Sequence, residues 1–169
     1  MQTTSANSPG RCAMVQPVFN TVLWIGNLSG HGNEQAGGQV FTSPSDGELH
    51  SIRLYADAIP QPGLLRMSFH QFDNGLQKWG APVAEAEVDV QPEDVRLWIS
   101  FSLPPVRLAH KQEYGFQVYS ADAMIGLGEA AGNSRSPFEA GAAWKTDAGN
   151  RQGYFYHYFS LAYELVFRA

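Results

Sequence analysis

The sequence has a single cysteine, few charges and no long apolar run, and each scarcity removes a class of protein. With only Cys12 among 169 residues, an intramolecular disulfide is impossible and a cysteine-based zinc site lacks ligands. Cys12 reads as a half-buried structural thiol on a first strand rather than a reactive one. Charged residues make up only 16%, with a formal net charge of −5. That balance argues against a nucleic-acid or anionic-membrane binder, because such proteins draw most of their affinity from a basic footprint. No run approaches the roughly 18 apolar residues of a membrane span, so no membrane insertion is expected. No window holds apolar residues at i, i+3, i+4 and i+7, the mark of an amphipathic helix.

Catalytic motifs are missing as well. The chain has no Gly-x-Ser-x-Gly elbow, no phosphate-binding glycine loop and no base beside Cys12. The five histidines (His31, His50, His70, His110 and His157) form no pair at metal-ligand spacing. Glu85 and Glu87 stand two apart on a polar strand face, a pattern of solubility more than of acid–base catalysis. The chain is therefore read as non-catalytic. A glycan-active enzyme stays open only because two carboxylates can meet in space without any sequence trace.

What is present is alternation. Four runs follow one another: Gly47–Asp57, Leu64–Phe72, Val83–Val90 and Val95–Leu103. Leu65, Met67 and Phe69 alternate with Arg66, Ser68 and His70, and Val95, Leu97, Ile99, Phe101 and Leu103 with Arg96, Trp98, Ser100 and Ser102. A strand points successive side chains to opposite faces, so period two means one buried and one wet face. Leu49 is out of phase with Ile52, Leu54 and Ala56, which a bulge near His50–Ser51 would correct. Shorter strands are expected at about Arg11–Gln16, Asn20–Ile25, Gln39–Ser43 and 123–128, and alternating runs over Glu113–Tyr119 and Phe159–Phe167. Gly26–Gly38 is a loop by composition, Pro104-Pro105 is expected to stop the fourth run, and 128–153 is the least regular stretch. In Tyr154–Phe159, strand periodicity would set three tyrosines on one face and Phe155, His157 and Phe159 on the other. About ten short strands with regular turns predict an all-β fold, a two-sheet antiparallel β-sandwich with jelly-roll topology. Residues 1–10 read as a flexible tail without the apolar segment of a signal peptide, and 11–169 as one domain.

The succession Gln39-Val40-Phe41-Thr42, Gly47 through Tyr55 and Trp98-Ile99-Ser100-Phe101 resembles carbohydrate-binding-module-like jelly rolls of the galactose-binding-like type. Pro105-Val106-Arg107-Leu108, Glu113 through Val118 and the closing Glu164-Leu165-Val166-Phe167-Arg168 continue the likeness. The resemblance implies an accessory domain of an exported or cell-surface protein whose leader is not in this chain. It also implies a structural calcium site, with Glu164 at the acidic position of the last strand and Glu34 in an early loop able to face it.

A sugar stacks its C–H face on Trp or Tyr and offers hydroxyls to planar polar groups. The expected wet faces supply Trp98, Tyr119, His70, Arg66 and Gln117, which would form such a patch if their strands share a sheet. A neutral glycan is thus the expected ligand. The rival reading is a structural or assembly protein, whose tyrosine-rich and apolar surfaces make homo-oligomers or dock onto a larger partner.

Overall fold

The structure, a computed structural model, describes residues 10–26, 35–132, 141–147 and 150–168. Thirteen strands follow in order: β1 (Arg11–Gln16), β2 (Thr21–Gly26), β3 (Gly37–Thr42), β4 (Gly47–Gln61), β5 (Gly63–Asp73), β6 (Lys78–Val90), β7 (Trp98–Leu108), β8 (Glu113–Tyr119), β9 (Met124–Ala131), β10 (Ala142–Asp147), β11 (Asn150–Tyr156), β12 (Phe159–Leu161) and β13 (Tyr163–Phe167). A single 3₁₀ turn, Pro92–Asp94, links β6 to β7.

The strands form two antiparallel sheets packed face to face. Strands β2 to β9 wind as a jelly roll, with β2-β9-β4-β7 side by side in one sheet and β3-β8-β5-β6 in the other. Apart from the β5–β6 hairpin, each step along this part of the chain crosses from one sheet to the other, as two nested Greek keys require. The hairpin β10–β11 adds to the free side of β3 and completes a six-stranded sheet. Strand β13 lies between β1 and the first half of β4, and β12 lies on β9, which brings the other sheet to seven strands.

Alternation builds the core. Phe69, Phe101, Phe116, Leu165 and Phe167 are fully buried in one cluster between the sheets, with Ile52, Leu54, Leu65 and Met67. The bulge in β4 lies where the phase break predicts it: the ladder with β7 slips between Leu49 and Ser51, and both Leu49 and Ile52 are buried.

Several expectations need correction. Val95 and Leu97 are not strand residues; they fall in the turn after Pro92–Asp94 and are 40% and 53% exposed. Pro104-Pro105 does not end the fourth run. Strand β7 continues to Leu108, pairing Val106, Arg107 and Leu108 with Leu49, Glu48 and Gly47. Two prolines are tolerated there because they fall in the slip of the β4–β7 ladder, between the Ser51–Ser102 and Leu49–Val106 pairs, and no other strand among the described residues pairs with β7. Cys12 is exposed, not half-buried. The aromatic run near the end is not one strand: it turns at His157–Tyr158, so the phase is lost before Phe159. The tail at 1–9, most of the loop expected at Gly26–Gly38, including Glu34, and 133–140 of the irregular stretch lie outside the described residues.

Candidate functional site

Residues directly opposite in neighbouring strands share a face. In the six-stranded sheet the register sets Glu85, Ser68, Gln117, Gly38, Trp144 and Phe155 side by side across all six strands, on the face away from the core. The next row along β5 and β8 sets His70 against Gly115, and the row on the other side sets Arg66 against Tyr119. Gly38, Ser68 and Gly115 carry little or no side chain, so the middle of this face is low.

Aromatic rings rise around the low floor. The ladder between β5 and β6 slips twice, at Phe69/His70 and at His70/Phe72. Such bulges bend a strand, and Trp79 of β6 lies across Gly115. A methyl group there would come within 2.7 Å of the indole. Trp79 stands edge-on to His70, Phe72 and Trp144, with centroids 5.3, 5.2 and 5.5 Å apart, and lies 6.0 Å from Phe155. Gly153, at φ +81°, lets β11 pass close under the Trp144 ring.

The polar groups of this cluster are unevenly satisfied. His70 is buried, its Nδ1 2.8 Å from the Gly80 carbonyl and its Nε2 2.8 Å from Ser68 Oγ. A carbonyl only accepts, so Nδ1 carries the proton and the Ser68 hydroxyl donates to Nε2. Burial holds the His70 pKa below its ordinary value, against the opposing pull of the Gly80 bond and the Glu85 charge. Trp144 Nε1 donates to the Gln152 carbonyl at 3.0 Å. Trp79 Nε1 is buried with no hydrogen-bond partner among the described residues. A buried, unpaired donor costs about 1–3 kcal/mol unless something supplies an acceptor.

Three depressions run into one another along β8. The first, of about 200 Å³, is lined by Thr42, Phe72, Asn74, Gln77, Glu113 and Phe155 among others. A second, of about 530 Å³, shares Gln77 and Phe155 with it and adds Trp79, Gln117, Trp144 and Gln152. A third, of about 420 Å³, shares Gln117 and Trp144 and reaches Tyr119, Ser120 and Thr146. Together they make a groove along the length of β8, with amide side chains set between rings.

Of the residues expected to bind ligand, Gln117 and Tyr119 line this groove, and Tyr119 is 42% exposed. Arg66 stands at its rim, 3.5 Å from Glu87 on β6. His70 is on the expected face but not on a wet one, because Trp79 covers it. Trp98 is on the other sheet. The 3₁₀ turn carries the chain across the sandwich, so β7 pairs with β4 and not with β5 or β8. There Trp98 meets Tyr55 edge-on at 5.6 Å, and Tyr55 stacks on Phe19 at 4.4 Å.

Sequence reasoning missed Trp79, Trp144, Phe155, Gln77 and Gln152. The available signal was glycine inside strands, at Gly38 and Gly115, which marks a close approach by something bulky.

The donors described around Glu164 do not fit a calcium ion. Its ladder neighbours are Val15 and Arg53, and Arg53 Nη1 lies 3.4 Å from its carboxylate. A hard cation takes six or more oxygens, and a guanidinium beside the carboxylate opposes it. Among the described residues no group of three or more His, Cys, Asp or Glu is placed to hold a metal. Glu34 is not among them.

A second polar cluster lies on the inner face at one end of the sandwich. Glu129 of β9 is almost fully buried, and Lys145 of β10 reaches it across the gap between sheets, 2.9–3.0 Å from its two oxygens. The ammonium sits 3.9 Å from the centre of Phe159 and 5.3 Å from that of Tyr156. Burial raises the Glu129 pKa and Lys145 partly offsets the rise.

No protein-family model matches the chain, and no curated protein matches it either.

Proposed function

We propose that the protein is a non-catalytic carbohydrate-binding domain, carried by an exported or cell-surface protein, and that its ligand lies in the groove on the outer face of the six-stranded sheet. The observation that supports this most is the alternation of rings and amides along one open groove: Trp79, Trp144, Phe155 and Tyr119 beside Gln77, Gln117 and Gln152. Sugars need stacking surface and planar hydrogen-bonding groups together. Arg66 is paired with Glu87, which favours a neutral glycan over an anionic one. A glycan array probed with wild type and Gln117→Ala tests the reading. Binding to a neutral glycan that Gln117→Ala weakens supports it. An array with no glycan bound overturns it.

A second reading, assembly into homo-oligomers or docking onto a larger partner, has its own observation. The seven-stranded sheet's outer side presents Phe19, Trp24, Leu97 and Val18, which are 38%, 39%, 53% and 59% exposed, beside the Tyr55–Trp98 pair. Sedimentation of wild type and Trp24→Ser over a range of concentrations tests it. A self-association that Trp24→Ser abolishes favours assembly, and a concentration-independent monomer removes the homo-oligomer.

A further inference from the structure

Resting on the glycan reading, we infer that the smallest of the three depressions is a subsite for a protonated amino sugar, which would make the preferred ligand a glycan with free amino groups. The depression lies at the start of β8, where Glu113, Thr42, Asn74, Gln77 and His157 line it together with the rings of Phe72 and Phe155, whose centroids are 5.2 Å apart.

Its polar lining is mixed: the Glu113 carboxylate, the Gln77 amide oxygen and the Thr42 hydroxyl accept, while the Asn74 side-chain amide nitrogen donates and the His157 ring lies at the same depression. Glu113 takes the backbone N–H of Asn74 and enters no ion pair with the described residues. The Gln77 amide nitrogen is committed to the backbone and side-chain oxygens of Asn74, both at 2.7 Å, which leaves the Gln77 carbonyl oxygen as the group it can offer. The Asn74 side-chain oxygen is in turn occupied by that bond. A ligand entering here therefore meets one carboxylate without an ion-pair partner among the described residues, an amide oxygen and a hydroxyl, with the Asn74 amide and the rings of Phe72, Phe155 and His157 alongside. A neutral hydroxyl can bond to such a set, but it brings no charge to the carboxylate. An ammonium brings three donors and a positive charge, which both the carboxylate and the faces of aromatic rings attract. Partial burial raises the Glu113 pKa, the Asn74 bond lowers it and the charge of Asp73 raises it again, which is the environment an approaching cation relieves. The depression opens into the rest of the groove through Gln77 and Phe155, so one chain can place an amino group here and stack its following residues on Trp79.

The test is calorimetric titration of wild type and Glu113→Gln with chitosan, chitin and cellulose oligosaccharides of equal length. These share a backbone and differ only in a free amine, an acetylated amine or a hydroxyl. A mildly acidic buffer keeps the amines protonated, and melting curves confirm that the variant is folded. Wild type should bind the chitosan oligosaccharide about ten-fold more tightly than the cellulose one, the worth of one hydrogen bond to a charged group. Glu113→Gln should erase that preference. Binding of all three with equal affinity overturns the amino-sugar subsite and leaves the glycan site standing. A preference that survives Glu113→Gln also overturns the subsite. Binding of none of the three overturns this subsite whatever an array shows. Binding of a polylysine peptide in place of any saccharide overturns both readings.

Discussion

Trp79 and Trp144 meet edge to face, their centroids 5.5 Å apart and their planes at 75°, yet only one of the two indole N–H groups has a partner. Trp144 donates to the Gln152 carbonyl, while Trp79 Nε1 is buried with none among the described residues. The pair closes one side of the groove, and the unspent donor lies on the strand that bends over Gly115. The proposed ligand groove and the core lie on opposite faces of the same sheet, so substitutions should separate binding from stability.

Phe101→Ala removes a fully buried ring from the space between the sheets and should cost about 3–5 kcal/mol. Trp98→Ala, three residues earlier on the outer face of the same strand, loses mainly an edge contact to Tyr55 and should cost about 1 kcal/mol. Urea denaturation of the two variants measures the difference. Equal losses would mean that Trp98 is a core residue.

Lys145→Met leaves the Glu129 carboxylate buried without its ammonium. Breaking such a pair from one side should cost about 3 kcal/mol near neutral pH. The double variant Glu129→Gln/Lys145→Met should recover most of that loss, because no unpaired charge remains. The single variant should also gain stability relative to wild type as the pH falls, since its carboxyl can take up a proton. Thermal melts of the three proteins at two pH values check all of this.

His70 gives a pH dependence of definite sign. Its folded pKa is lowered by burial below the ordinary imidazole value of about 6.5, so between the folded and unfolded pKa values the unfolded chain binds the extra proton. His70 therefore opposes folding as the pH drops below about 6.5, and its full contribution is present above that value. His70→Gln should flatten the fall in denaturation midpoint between neutral and mildly acidic pH. An unchanged slope would mean that the ring is not held neutral.

The fold was largely legible because alternation fixes which side of a strand is buried. Leu65, Met67, Phe69 and Phe101 carry that signal in their spacing, and even the bulge at Leu49 and Ser51 left a phase break. The site was legible only in part. Alternation assigns a face but not a sheet, so Trp98 and Gln117 looked equivalent although β7 and β8 lie on opposite layers. Nor does it report what covers a face: His70 is on the outer side as expected and is still buried, because Trp79 arrives from the neighbouring strand. Trp144 lay hidden in a stretch whose glycines and alanines read as loop. Gly153 makes room for the ring instead, as its tight approach to the indole nitrogen shows.

The most direct test of the glycan groove uses its two faces against each other. An oligosaccharide bound by wild type on an array is titrated into Trp79→Ala and Trp98→Ala, at low and at high salt, with both variants first shown to be folded. Trp79→Ala should lose detectable binding, Trp98→Ala should bind as wild type does, and the wild-type affinity for a neutral sugar should be nearly the same at both salt concentrations. Loss of binding in Trp98→Ala with retention in Trp79→Ala would place the ligand on the seven-stranded sheet and contradict the assignment of the groove.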